Sequence, residues 1–171
     1  YADSIGLGCD FTFCTGWPFG DTEVSFEDAT QKWNDTTKEY KQTYPIEWHH
    51  PQRGYIMNHL DKNALDRYSK RMGNALLPAL KGSKSGLFCD SWEVPSEKLW
   101  TTGFDKKFQE KFGYDIKPYM DSIYVKDSIG PRYDYMKMLS DYVIYEFYKP
   151  FTEECHKLNS FSRVQCSGAP A

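Results

Sequence analysis

Two carboxylates, Asp90 and Glu93, flank the pair Ser91-Trp92 directly after the run Gly86-Leu87-Phe88-Cys89. A short apolar run bounded by glycine fits a strand buried on both faces, as in a parallel sheet. The polar cluster then falls just past that strand's C-terminal end, where the loops of an α/β barrel carry chemistry. A carboxylate beside an indole also suits a sugar site, the ring packing on the C–H face of a pyranose and the carboxyl handling protons. The plainer reading makes Asp90 a cap for the next element and Glu93 a solvated side chain. Trp17, in the turn-rich run Thr15-Gly16-Trp17-Pro18-Phe19-Gly20, reads equally as a lid on the core or as a sugar platform. His49-His50-Pro51 suggests a metal, but adjacent histidines point apart and Pro51 holds His50 extended. No third ligand stands at a diagnostic spacing.

Composition narrows the classes. The chain has 171 residues, enough for about one domain. A net charge of −3 offers no basic face for nucleic acid. The longest apolar runs are too short to span a bilayer, and no signal peptide is visible. Aromatic residues reach 17%, which suits an aromatic core or a carbohydrate-facing cleft. The five cysteines, Cys9, Cys14, Cys89, Cys155 and Cys166, contain no Cys-x-x-Cys pair, and buried single thiols are the better reading.

The elements that position these residues follow in order. Tyr1–Gly6 reads as the last turn of a helix with Gly6 as its C-cap. Leu7–Phe13 is a strand. Residues 21–54 form a long excursion, with a short helix predicted from Phe26 and a weak exposed strand over Thr36–Tyr44. Tyr55–Asn58 is a second strand, leading to Asp61 as N-cap of a helix over Lys62–Leu80, with Leu60 placed to staple onto Leu65. Its apolar stripe is Leu65, Tyr68, Met72, Ala75, Leu76 and Leu80. After Glu93, Thr101 or Thr102 is expected to cap a helix in which Phe104, Phe108 and Phe112 face the core and Gly113 is the stop. A long helix over about Arg132–Leu158 buries Tyr135, Met138, Leu139, Tyr142, Val143, Phe147, Phe151 and Cys155, with a kink expected at Pro150. Phe161–Cys166 is the last strand. This succession predicts an α/β fold of about four βα units with parallel strands, a partial (β/α)8 TIM-type barrel. Its open side would leave an apolar edge available for self-association.

The motifs form an ordered series: Gly16-Trp17-Pro18-Phe19-Gly20, His59-Leu60-Asp61-Lys62-Asn63-Ala64, Asp90-Ser91-Trp92-Glu93-Val94, Leu99-Trp100-Thr101, Phe112-Gly113-Tyr114-Asp115-Ile116-Lys117-Pro118-Tyr119, Arg132-Tyr133-Asp134-Tyr135 and Arg163-Val164-Gln165-Cys166-Ser167-Gly168-Ala169-Pro170. Order and spacing resemble the catalytic barrel of glycoside hydrolase family 106, the α-L-rhamnosidases. The resemblance implies inverting hydrolysis of a terminal deoxyhexose, with a calcium ion near the sugar, in a bacterial protein of the periplasm or the exterior. It implies that residues 1–171 are one partial catalytic domain, a fragment inactive alone, with the second carboxylate beyond Ala171. Glu93 is then the candidate acid, with Trp92 placed to desolvate it, and Asp90 holds a sugar hydroxyl or orients Glu93. Trp17, Trp92, Trp100, His59, Asp10, Arg163 and Gln165 are the candidate substrate contacts. For Asp10 and Arg163 an ion pair between strands is an equal alternative, and for His59 so is a satisfied histidine ahead of a helix. The rival to the enzyme is a non-catalytic carbohydrate-binding barrel.

Overall fold

The computed structural model describes residues 1–14, 18–42, 53–94 and 97–165. Eight strands are present among them: β1 (Phe11–Thr12), β2 (Gly20–Asp21), β3 (Gln31–Asn34), β4 (Glu39–Gln42), β5 (Tyr55–Ile56), β6 (Gly86–Cys89), β7 (Leu99–Trp100) and β8 (Phe161–Val164). The α-helices are α1 (Lys62–Leu80), α2 (Phe104–Phe112), α3 (Ile129–Tyr142) and α4 (Lys149–Lys157).

A parallel sheet in the order β1–β6–β8 forms the centre, with Phe11 opposite Leu87 and Phe88 opposite Arg163. Side chains alternate across it, as the two-residue period of a strand requires. One face carries Phe13, Leu87 and Cys89, all buried, and meets the helices: Phe13 lies 5.6 Å from Phe151 of α4, and Thr152 and Ser162 share a 2.9 Å hydroxyl hydrogen bond. The other face, with Asp10, Thr12, Phe161 and Arg163, is exposed. The fold is thus α/β with a parallel sheet and helices, and the described strands do not close a barrel.

The Tyr55 strand lies outside that sheet, contrary to the pattern-based expectation. β5 runs antiparallel to β2, and its remaining backbone groups are taken locally: Met57 N–H donates to Phe19 O at 2.9 Å and Thr30 N–H to Ile56 O at 2.8 Å. With both edges occupied, it has none to offer β1. Gly54 permits the close approach, since a Cβ there would stand 2.2 Å from Asp21 O. Part of the excursion folds into a second sheet, β4–β3–β7, wholly antiparallel. Phe26–Ala29 is a turn bridged to Met57 rather than a helix.

α1 begins where expected, the Asp61 carboxylate accepting from Asn63 N–H at 2.9 Å. Its stripe differs at one place: Ala75 is exposed, while Gly73 is buried with Leu158 so close that a Cβ would stand 3.0 Å from its methyl. α2 starts one residue late, at Gly103 in the left-handed conformation (φ +78°), because Thr101 is buried and accepts from the Asn58 side-chain amide at 3.0 Å. The long helix does not kink as a plain α-helix would. A π-helical segment over Val143–Tyr148 precedes Pro150, with Lys149 N–H donating to Ile144 O, which absorbs the register change around a residue lacking an N–H. All eight residues expected on its inner face are buried. Cys14, Cys89 and Cys155 are buried and outside any disulfide among the described residues, whereas Cys9 is exposed, and burial pushes the Cys155 thiol up to about 12.

Candidate active site

The Asp90–Glu93 segment leaves the C-terminal end of β6, the central strand of the parallel sheet. Asp90 is half-buried, and its Oδ1 accepts from Ser91 N–H at 2.8 Å. That turn sends the next two side chains to opposite environments. Trp92 is buried, with His59 at 4.7 Å edge-on and Phe147 at 5.7 Å. Glu93 is exposed, with φ at +29°. A non-glycine residue in that region costs about 1–3 kcal/mol and persists only where its surroundings hold it. Here the buried Ser91 and Trp92 on its N-terminal side do so.

This arrangement corrects one expectation. The Trp92 indole is spent on the core, so it does not enclose the Glu93 carboxyl. No hydrogen bond or ion pair engages Glu93 among the described residues, and its carboxyl is free to meet a ligand from solvent.

His59 sits in the same aromatic cluster, 4.5 Å from the Phe147 ring and 3% exposed. Its Nδ1 lies 2.7 Å from Met57 O, and since a carbonyl only accepts, the proton is on Nδ1. Burial lowers its pKa to about 4, leaving the ring neutral near pH 7. This is the satisfied histidine of the two readings. Phe147, which completes the cluster, was legible in the sequence only as one member of a helical stripe.

Asp10 and Arg163 resolve as the ion pair rather than as two free contacts. The pair crosses β6 over Gly86, whose N–H donates to Asp10 Oδ1 at 2.8 Å. That N–H and the Arg163 guanidinium hold the Asp10 carboxyl below its ordinary value. A Cβ on Gly86 would fall 2.9 Å from Asp10 Oδ1 and 2.7 Å from the Phe161 ring, so only glycine fits beneath the clasp. The pair lies towards solvent, with the Arg163 side chain 60% and the Asp10 side chain 25% accessible. Gln165 is exposed at the end of β8, its N–H donating to Cys89 O at 3.0 Å. Trp100 is 2% exposed between Trp33 (5.0 Å) and Phe104 (4.8 Å), so it is a core residue with at most an edge to offer. Trp17 and the His49-His50 pair lie outside the described residues. Among the described residues no three of His, Cys, Asp and Glu converge where a metal ion could sit.

With this geometry in hand, comparison with known proteins places the chain. The family model for α-L-rhamnosidase, glycoside hydrolase family 106, matches residues 49–164, well over half of the sequence. The chain belongs to that family. A solved rhamnosidase from Novosphingobium sp. PP1Y is similar in fold, with a TM-score of 0.54 and 22% identity. The match covers 71% of this chain and 13% of that one, so the present sequence spans a small part of its relative's length. No curated protein matches the chain.

Proposed function

We propose that residues 1–171 form part of the catalytic domain of a glycoside hydrolase that cleaves a terminal α-L-rhamnoside, or a similar deoxyhexoside, with inversion. The observation that carries this reading is the exposed, unengaged Glu93 at the C-terminal end of the central parallel strand, in a chain of the α-L-rhamnosidase family. Glu93 donates its proton to the leaving glycosidic oxygen as the bond to the anomeric carbon breaks. A water on the opposite face attacks that carbon and gives its proton to a second carboxylate, some ~6.5–9.5 Å from the first. Asp90, whose Oδ1 accepts from the Ser91 N–H at 2.8 Å, holds a sugar hydroxyl or orients Glu93. The base comes from beyond Ala171, and so do the strands that complete a (β/α)8 barrel over the open sheet face. Gln165 and the Asp10–Arg163 clasp line that face on the sugar's side.

Calcium belongs to this proposal through ligands outside the described residues, and so do a bacterial periplasmic or extracellular setting and self-association through the sheet edges. No helix among the described residues is long and apolar enough to cross a membrane.

The test is hydrolysis of an aryl α-L-rhamnoside by the full polypeptide, wild type beside Glu93→Gln, with the first-formed anomer read by NMR. The expected result is an inverted product and a loss of about 10²–10⁴-fold in the variant. Undiminished turnover in the variant would remove Glu93 from the reaction. An inactive wild type that still binds rhamnosides would favour the carbohydrate-binding reading.

A further inference from the structure

The antiparallel sheet β4–β3–β7 builds a second feature, apart from the Asp90–Glu93 segment. Trp33 and Tyr40 are direct cross-strand partners, and Trp100 sits two positions along the same face, opposite Gln31. Their side chains wall an open cleft of about 510 Å³, completed by Lys38, Glu39, Asp105 and Lys117. Such a volume lies in the ordinary range for small-molecule sites.

The walls are pre-set rather than pliant. Asn34 Oδ1 accepts from Thr36 and Thr37 N–H at 2.9 and 3.2 Å, and Lys38 then turns the hairpin at φ +60°. Lys117 is held to Asp105 at 2.9 Å, and Lys38 is paired with Asp121. Two cations and two anions therefore line the cleft, and the cations are already matched by carboxylates. An anionic ligand would find no unbalanced cation there; Glu39 has no ion-pair partner among the described residues, and together these groups offer hydroxyls both donors and acceptors. Tyr40 adds a ring 42% exposed, while the indoles contribute edges, a combination suited to the C–H face of a sugar ring.

We infer that this cleft binds a neutral saccharide, stacking one ring on Tyr40 and hydrogen-bonding its hydroxyls to Asp105 and Lys117. The inference extends the hydrolase reading with a further subsite, but its lining shares no residue with the 90–94 segment, so the two fail separately. Trp33 and Trp100 in its walls report on occupancy. Methyl α-L-rhamnoside is titrated against tryptophan emission, with glucuronate and glucosamine as charged counterparts. The protein is the full polypeptide carrying Glu93→Gln, which prevents turnover. The expected result is saturable binding of the neutral glycoside, weakened about tenfold by Tyr40→Ala and again by Lys117→Ala. Both replaced side chains are solvent-exposed, so melting temperatures should hold. Binding unaltered in both variants, no saturable binding, or preference for a charged sugar would each overturn the assignment. The role of Glu93 stands or falls on the hydrolysis assay alone.

Discussion

The two faces of the central sheet are made by the same three strands and have opposite fates. On the helix side, Phe13 and Leu87 are fully buried and Cys89 nearly so, under an α4 that contributes Phe151 and Cys155, also fully buried. On the other side Asp10 and Arg163 meet in solvent across Gly86. Burial removes apolar surface from water at about 25 cal/mol per Å², whereas an exposed ion pair contributes at most about 1 kcal/mol. The helix face therefore carries the stability, and the open face and strand ends are free to carry chemistry.

The largest way to test that contrast is Phe151→Ala. The ring is enclosed by Phe13, Phe19 and Phe147, and its removal should cost about 3–5 kcal/mol in denaturant unfolding. A loss under 1 kcal/mol would mean that the helix face is not the core.

A middle effect comes from His59. Its folded pKa of about 4 lies below the unfolded value of 6.5, so between these pH values the unfolded chain binds the proton first. Stability is therefore full above pH 6.5 and declines as pH falls towards 4, by roughly 3 kcal/mol. His59→Phe should flatten that part of the pH profile. An unchanged slope would assign the acid sensitivity to other groups.

The smallest effect is expected on the open face. Arg163→Ala should change stability by less than about 1 kcal/mol, and salt should shrink even that. A loss comparable to Phe151→Ala would show the clasp to be structural.

Much of the helical layer was legible from spacing alone. Asp61 as cap, the Lys62–Leu80 span, the Phe104 and Phe108 pair and the inner face from Tyr135 to Cys155 all follow from a 3.6-residue period that local hydrogen bonds enforce. The β-structure was less so. Val-poor runs of two to four residues give no clue to their partners, and β5 joined β2 because Gly54 lets the chains approach and Thr30 takes the other edge. β3 and β7 went unseen, since Gln31-Lys32-Trp33-Asn34 carries one apolar residue in four and Leu99–Trp100 is only two residues long.

By itself the sequence determined the chemistry on offer: a carboxylate pair after an apolar strand, an aromatic-rich interior and the ordered motifs of a rhamnosidase family. Local propensity and periodicity are enough for that, because they act over a few residues. The tertiary structure decided which side chains are spent on packing and which remain available. Trp92 and Glu93 are neighbours in the chain, yet one is buried against His59 and Phe147 and the other faces solvent. Asp10 and Arg163 are 153 positions apart, yet paired. Long-range pairing fixes those outcomes, since each depends on which strands and helices meet across the sheet.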